Sequence, residues 1–118
     1  MKVVKVQDVQ PDNRTDIIMK TIFGGGKDGQ VKMGIAVFLP GARVPAQSAA
    51  SHTGDEYSYI IKGSIILTMS GGREQRLTAR QASYIPAGEA HWAFNDGESD
   101  CELIWSLIGQ VQIRRSVR

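Results

Sequence analysis

From Val31 to Leu39 the chain reads Val-Lys-Met-Gly-Ile-Ala-Val-Phe-Leu, and every odd position in it (Val31, Met33, Ile35, Val37, Leu39) is apolar. Alternation of period two over this length predicts a β-strand with one face buried. Pro40-Gly41 then ends it as a turn. The same texture recurs downstream. Tyr57–Ile61 is aromatic and β-branched, Gly63 follows, and Ile65–Met69 runs into Ser70-Gly71-Gly72-Arg73, which predicts a hairpin. Cys101–Ile108 places Leu103, Trp105 and Leu107 on one face of a late strand. Val3–Val6 and Ile17–Phe23 are also strand-like. Residues 42–55, small and polar and interrupted by Pro45 and Gly54, read as loop. Residues 74–82 are rich in helix formers, but a hairpin precedes them and Ser83-Tyr84-Ile85-Pro86 follows, so they are assigned to the β pattern. Many short strands, 13 glycines and no long helical period predict an all-β sandwich or barrel.

A chain of 118 residues has room for one domain and one core. With 42% hydrophobic and 22% charged residues it is globular in composition rather than disordered. The net charge is +2, but Arg114, Arg115 and Arg118 crowd the last five positions and leave the body close to neutral. A nucleic-acid groove needs a clustered positive face, and none is present, so nucleic acid is not an expected partner. No apolar run approaches the ~18 residues of a membrane span, and Met1–Val6 is not a signal peptide. The expectation is a cytoplasmic protein without membrane contact. The single cysteine, Cys101, excludes an internal disulfide and reads as an inert strand residue. Gly24-Gly-Gly-Lys-Asp-Gly29 lacks the Lys-Ser/Thr ending of a phosphate loop and reads as a plain turn.

The only two histidines, His52 and His91, each sit in a turn beside strand material. His52-Thr53-Gly54-Asp55-Glu56 places a carboxylate four residues after an imidazole. On a straight strand the pair lies roughly 13 Å apart, too far to share an ion. A hairpin in which His52 ends one strand and Glu56 opens the next brings their Cβ atoms to about 5 Å. In Pro86-Ala-Gly-Glu-Ala-His-Trp-Ala-Phe-Asn95, proline and glycine fix a turn that delivers His91 at the start of another strand. Two imidazoles and one carboxylate with open positions suit a divalent transition metal such as Fe, Mn, Ni or Zn. Ser58 and Ile60 share a face with Glu56, as Ala93 and Asn95 do with His91, which makes Ser58 and Asn95 further pocket candidates. Tyr57 and Tyr59 fall on the opposite face and read as packing residues. Trp92, Phe94 and Trp105 read as core or contact aromatics.

These two segments resemble the two motifs of the cupin superfamily. Glu56, followed after six residues by Gly63, matches the end of the first; Pro86, Gly88, His91 and Asn95 match the second at every spacing. The resemblance runs from about Val31 to Ile108. It implies a conical double-stranded β-helix (jelly-roll) barrel, a divalent metal held by motif residues, and a homodimer, with residues 1–30 as candidate strands at the interface and 114–118 as a short basic tail. The first motif is degenerate. Counting back from Glu56 puts His52 in the second histidine's place and Ala50 in the first. Counting forward from Gly41 puts Gln47 and Ala49 there instead, with Gln47 as a candidate carbonyl ligand. Arg80 stands where the second motif begins with glycine, so a different turn is expected before it. The reading is a small single-domain metal-binding cupin with His52, Glu56 and His91 as ligands. It acts as an oxygenase or isomerase/lyase on a small oxygenated or carboxylated metabolite. The alternative is a sensor-like module that binds a small molecule without turnover, its metal site reduced or lost.

Overall fold

The computed structural model describes residues 1–24 and 31–109, so the expected turn at Gly24–Gly29, beyond its first residue, and the arginine tail lie outside the described residues. Among the described residues, nine strands follow one short 3-10 turn at Val6–Asp8: β1 Ile17–Phe23, β2 Val31–Phe38, β3 Arg43–Val44, β4 Gly54–Lys62, β5 Ser64–Met69, β6 Glu74–Thr78, β7 Ala82–Ile85, β8 His91–Phe94 and β9 Cys101–Gly109. They form two antiparallel sheets, β1-β2-β9-β4-β7 and β3-β8-β5-β6. This is the jelly-roll barrel expected from the motifs. None of the described helices is long and apolar enough to cross a membrane.

Pairing decides the ambiguous segments. Residues 74–78 are a strand despite their helix formers, because the turn over Gly71-Gly72 lays them along β5 from Thr68↔Glu74 to Ser64↔Thr78. Ladder bonds and burial of Leu77 outweigh a preference that is worth only tenths of a kcal/mol per residue. The N-terminal expectation is half right. Ile17–Phe23 is a strand, but it pairs with β2 of its own chain, Ile17 opposite Phe38. Val3–Val6 is not a strand, and the Val6 carbonyl accepts a bond from Lys20 Nζ at 3.1 Å instead.

The alternation in β2 faces the other way from the usual expectation. Gly34, Ala36 and Phe38 are the buried residues, whereas Val31 and Met33 are exposed and Ile35 and Val37 half-buried. Small residues face inward because the interior must accommodate a cavity and the Trp105 indole. A Cβ on Gly34 would lie 2.7 Å from Trp105 Cε2. The inner core comes from Ile17, Phe38, Ile60, Ile65, Leu67 and their neighbours, together with the fully buried Cys101. Burial pushes the Cys101 thiol up to about 11, as an inert core residue requires.

Two turns carry backbone demands. Gly63 is the single residue between β4 and β5, where the chain passes from one sheet to the other, and its φ is +84°. A Cβ there would overlap the Asp100 carbonyl oxygen and sit 2.8 Å from Cys101 Cα. This is why the spacing from Glu56 ends in glycine. Arg80 corrects an expectation: its φ is +72°, so it adopts the left-handed conformation that glycine would supply, and the turn is kept with an unfavoured residue. Gly63→Ala is expected to lower stability by about 2 kcal/mol or more, from the left-handed conformation and the clash together. Urea unfolding monitored by circular dichroism checks this.

Candidate functional site

The segment before β4 and the turn before β8 are joined through their backbones. Gly88 N–H donates to the His52 carbonyl at 2.8 Å, and His91 and Ala50 exchange N–H···O bonds of 2.9 and 3.0 Å. Ala87 N–H also donates to Asp55 Oδ1 at 2.9 Å. The Pro86–Gly88 turn is thereby held against the stretch that carries His52, and His91 enters as the first residue of β8, as its spacing predicts.

The expected hairpin between His52 and Glu56 is absent. β4 begins at Gly54, Glu56 is its third residue, and His52 stands in irregular chain before a bend at Thr53. The bend does what a hairpin would have done. His52 Nε2 lies 3.2 Å from Glu56 Oε1, and His91 Nε2 lies 3.4 Å from the same oxygen. The two imidazole centroids are 5.5 Å apart. One donor atom from each of the three residues falls within 4.8 Å of the others, a spacing that one metal ion can bridge.

The second histidine is prepared for such a role. His91 Nδ1 is 2.8 Å from the Glu89 carbonyl oxygen. A carbonyl only accepts, so Nδ1 carries the proton and, in the neutral ring, Nε2 offers its lone pair toward Glu56. Hydrogen bonding to Glu56 raises the His91 pKa above the ordinary imidazole value, against burial, which lowers it; the Glu89 carbonyl raises it further.

The three residues open onto a cavity of about 540 Å³ whose wall is mostly apolar, with Phe38, Ile60, Leu67 and Leu103 among its residues. That volume suits a small metabolite. Asp12, Thr21, Lys32 and Ala46 line it and are exposed, so they form its rim. Sequence reasoning gave no role to Thr21 or Lys32, because their place at the rim depends on β1 and β2 lying beside β9.

The other candidates separate. Ser58 lies in the cavity wall. Gln47 is exposed in the loop and does not line the cavity, whereas Ala50 does, directly bridged to His91. Ala50 rather than Gln47 thus stands beside His91 in the cavity wall, the arrangement that the count back from Glu56 expects. Asn95 is put to a different use from the pocket role considered for it. It is 1% exposed, and its amide donates to the Phe38 and Ser99 carbonyls while its Oδ1 accepts from Gly97 N–H. Its hydrogen-bonding capacity is spent on joining the end of β2 to the turn after β8.

A family model described as the cupin domain matches residues 34–107. A search of curated proteins gives no match. Among solved structures, a predicted oxalate decarboxylase from Thermotoga maritima superposes with a TM-score of 0.78 at 19% identity, over 92% of this chain and 100% of that one. An RmlC-like cupin from Shewanella frigidimarina gives 0.72 at 16% identity, over 91% and 89%. The cupin domain of an XRE family transcriptional regulator from Enterobacter cloacae gives 0.70 at 15% identity, over 82% and 100%. At these identities the structural likeness speaks for the fold. Together with the family match across more than half of its length, it means that the chain belongs to the cupin family.

Proposed function

We propose that this protein is a metal-dependent cupin enzyme of the cytoplasm. In this reading His52, Glu56 and His91 hold one divalent transition metal, and a small oxygenated or carboxylated metabolite binds beside it. The observation that carries the reading is the convergence of three donor atoms within 4.8 Å, with the His91 tautomer set by Glu89. The donor set fits such an ion: two neutral imidazoles and one carboxylate leave positions open and cancel half of a 2+ charge. A bound ion would supply Lewis acidity and a template for ligand oxygens. The chain's own contribution is to hold Glu56 between the imidazoles, to keep the His91 lone pair aimed inward, and to surround the ligand with an apolar wall that limits water. Oxygenase or isomerase/lyase chemistry is the class this arrangement favours.

Ala50 supports a second reading, a ligand-binding module without turnover, because the site has three side-chain ligands where the family motif provides four. The cupin domain of a transcriptional regulator among the similar structures is in keeping with that alternative. Elemental analysis of tag-free protein purified without chelator separates the metal-dependent reading from a ligand-binding module that has lost its metal. About one equivalent of metal per chain is expected, lost in Glu56→Ala and His91→Ala. No uptake after incubation with Fe(II), Mn(II), Ni(II) or Zn(II) would overturn the metal reading. Ala50→His supplies a third imidazole beside His91, and with it a fourth side-chain ligand, and is expected to tighten metal binding at least about tenfold, as losing even a supporting residue costs that much. Competition with a chromophoric chelator measures it.

We also propose a homodimer formed through the outer face of the five-stranded sheet. That face carries Tyr84, Tyr57, Tyr59, Met33 and Ile18, each more than a third exposed, with half-buried Ile35, Val37 and Ile104 in the same registers. The Tyr57 and Tyr84 rings already pack at 5.1 Å. A broad apolar face with few charges marks an interaction surface, and a second copy matches it without any need for charge complementarity. Sedimentation velocity is expected to give twice the 12.9 kDa chain mass, falling to one chain in Tyr59→Lys/Ile35→Lys. A monomeric wild type would rule the dimer out.

A further inference from the structure

One cross-strand row above Glu56, the cavity wall stops being apolar. Ser83 on β7 pairs with Ser58 on β4, and Ser58 pairs in turn with Trp105 on β9. All three line the cavity. Ser58 is only 9% exposed. Among the described residues the serine hydroxyls that bond within the chain are those of Ser48 and Ser64, not these two. The Trp105 indole N–H is buried and also lacks an acceptor. A buried polar group left unpartnered costs ~1–3 kcal/mol; the indole N–H is one, and the two serine hydroxyls beside it in an otherwise apolar wall make no bond within the chain, so this row calls for something to bind.

We propose that Ser58 and Ser83 form a second recognition point, so that the ligand carries two oxygen functions. One faces the His52–Glu56–His91 group, and the other, a carbonyl or hydroxyl, bonds the serine pair. Two residues along β4 separate Ser58 from Glu56, about 6.6 Å of strand. Adjacent cross-strand Cβ atoms stand about 5 Å apart, so both hydroxyls reach a single oxygen placed between them. The matching ligand is a short carboxylic acid with a carbonyl or hydroxyl oxygen a few bonds from its head. The aliphatic wall from Leu67 and Leu103 covers the carbons in between. This assignment rests on the metal-centred reading for the position of the acid head. The serine pair itself rests only on the fold.

The test compares 4-oxopentanoate with pentanoate by titration calorimetry on the Zn(II)-loaded full chain. The two acids share a head and differ in one carbonyl oxygen. The wild type is expected to bind 4-oxopentanoate about fivefold more tightly, the effect of one neutral hydrogen bond. Ser58→Ala/Ser83→Ala should bring the ratio to about one and leave pentanoate binding within twofold. Each single variant should fall between, which keeps the test open if the double variant folds poorly. Equal binding of both acids by the wild type, or an unchanged preference in the variants, overturns the serine pair while leaving the metal site standing. A preference that persists without zinc but vanishes in the serine variants upholds the pair and overturns the metal-centred head. Binding of neither acid overturns both.

Discussion

The site depends on the backbone seam between the stretch Ala50–His52 and the turn Pro86–His91. Three main-chain bonds, Gly88 to His52 and the reciprocal pair between Ala50 and His91, close that seam, and Asp55 reinforces it through Ala87. None of the bonds involves a functional atom. Yet they fix the two segments that carry the histidines, one before the first motif strand and one at the start of β8. Glu56, on the rigid β4, then needs only its side chain to lie between the rings. Irregular chain is held to ångström tolerance here because its polar groups bond to another irregular segment, rather than to water.

The inner face of the barrel has two chemical zones. The His52–Glu56–His91 group occupies one pole, and the serine pair with the Trp105 indole occupies a row further along β4 and β9; leucine, isoleucine and phenylalanine fill the remainder. Low polarity around few polar groups strengthens each electrostatic contact made there and penalises any left unmade. The raised pKa of His91 shows this competition: the carboxylate beside it favours charge, while burial opposes it.

Much of this was legible in the sequence, though unevenly. Most strand positions from Val31 to Ile108 followed from alternation and turn residues, and the 74–78 strand followed from its flanks against its own propensity, whereas the two-residue β3 Arg43–Val44 and the start of β4 at Gly54 lie in the stretch expected to be loop. The three ligand candidates followed from residue type and motif spacing. Two questions could not be decided from spacing, for a common reason. Alternation in β2 shows that its faces differ but not which face is inside, and the cavity with the Trp105 ring selected the small residues for the interior. Likewise, spacing alone left Gln47 and Ala50 equally placed, and only the bridge to His91 separated them. Asn95 matched a motif position, but motif membership does not distinguish a ligand from a residue that ties two turns together.

What is local or periodic could be read from the residues alone: the all-β class, the turns at Pro40-Gly41, Gly63 and Gly71-Gly72, and the supply of two imidazoles and a carboxylate beside strands. Arg80 shows the limit of even local reading, since the fold holds a non-glycine residue at φ +72°. The tertiary structure alone decided the distances. His52 and Glu56 meet at 3.2 Å through a bend rather than a hairpin, and His91 joins them across 35 residues of chain. Ser58, Ser83 and Trp105 share a row only because β7, β4 and β9 are neighbours. Such contacts arise from strand order and register, which depend on all the pairings together, whereas turn and strand preferences belong to a few consecutive residues.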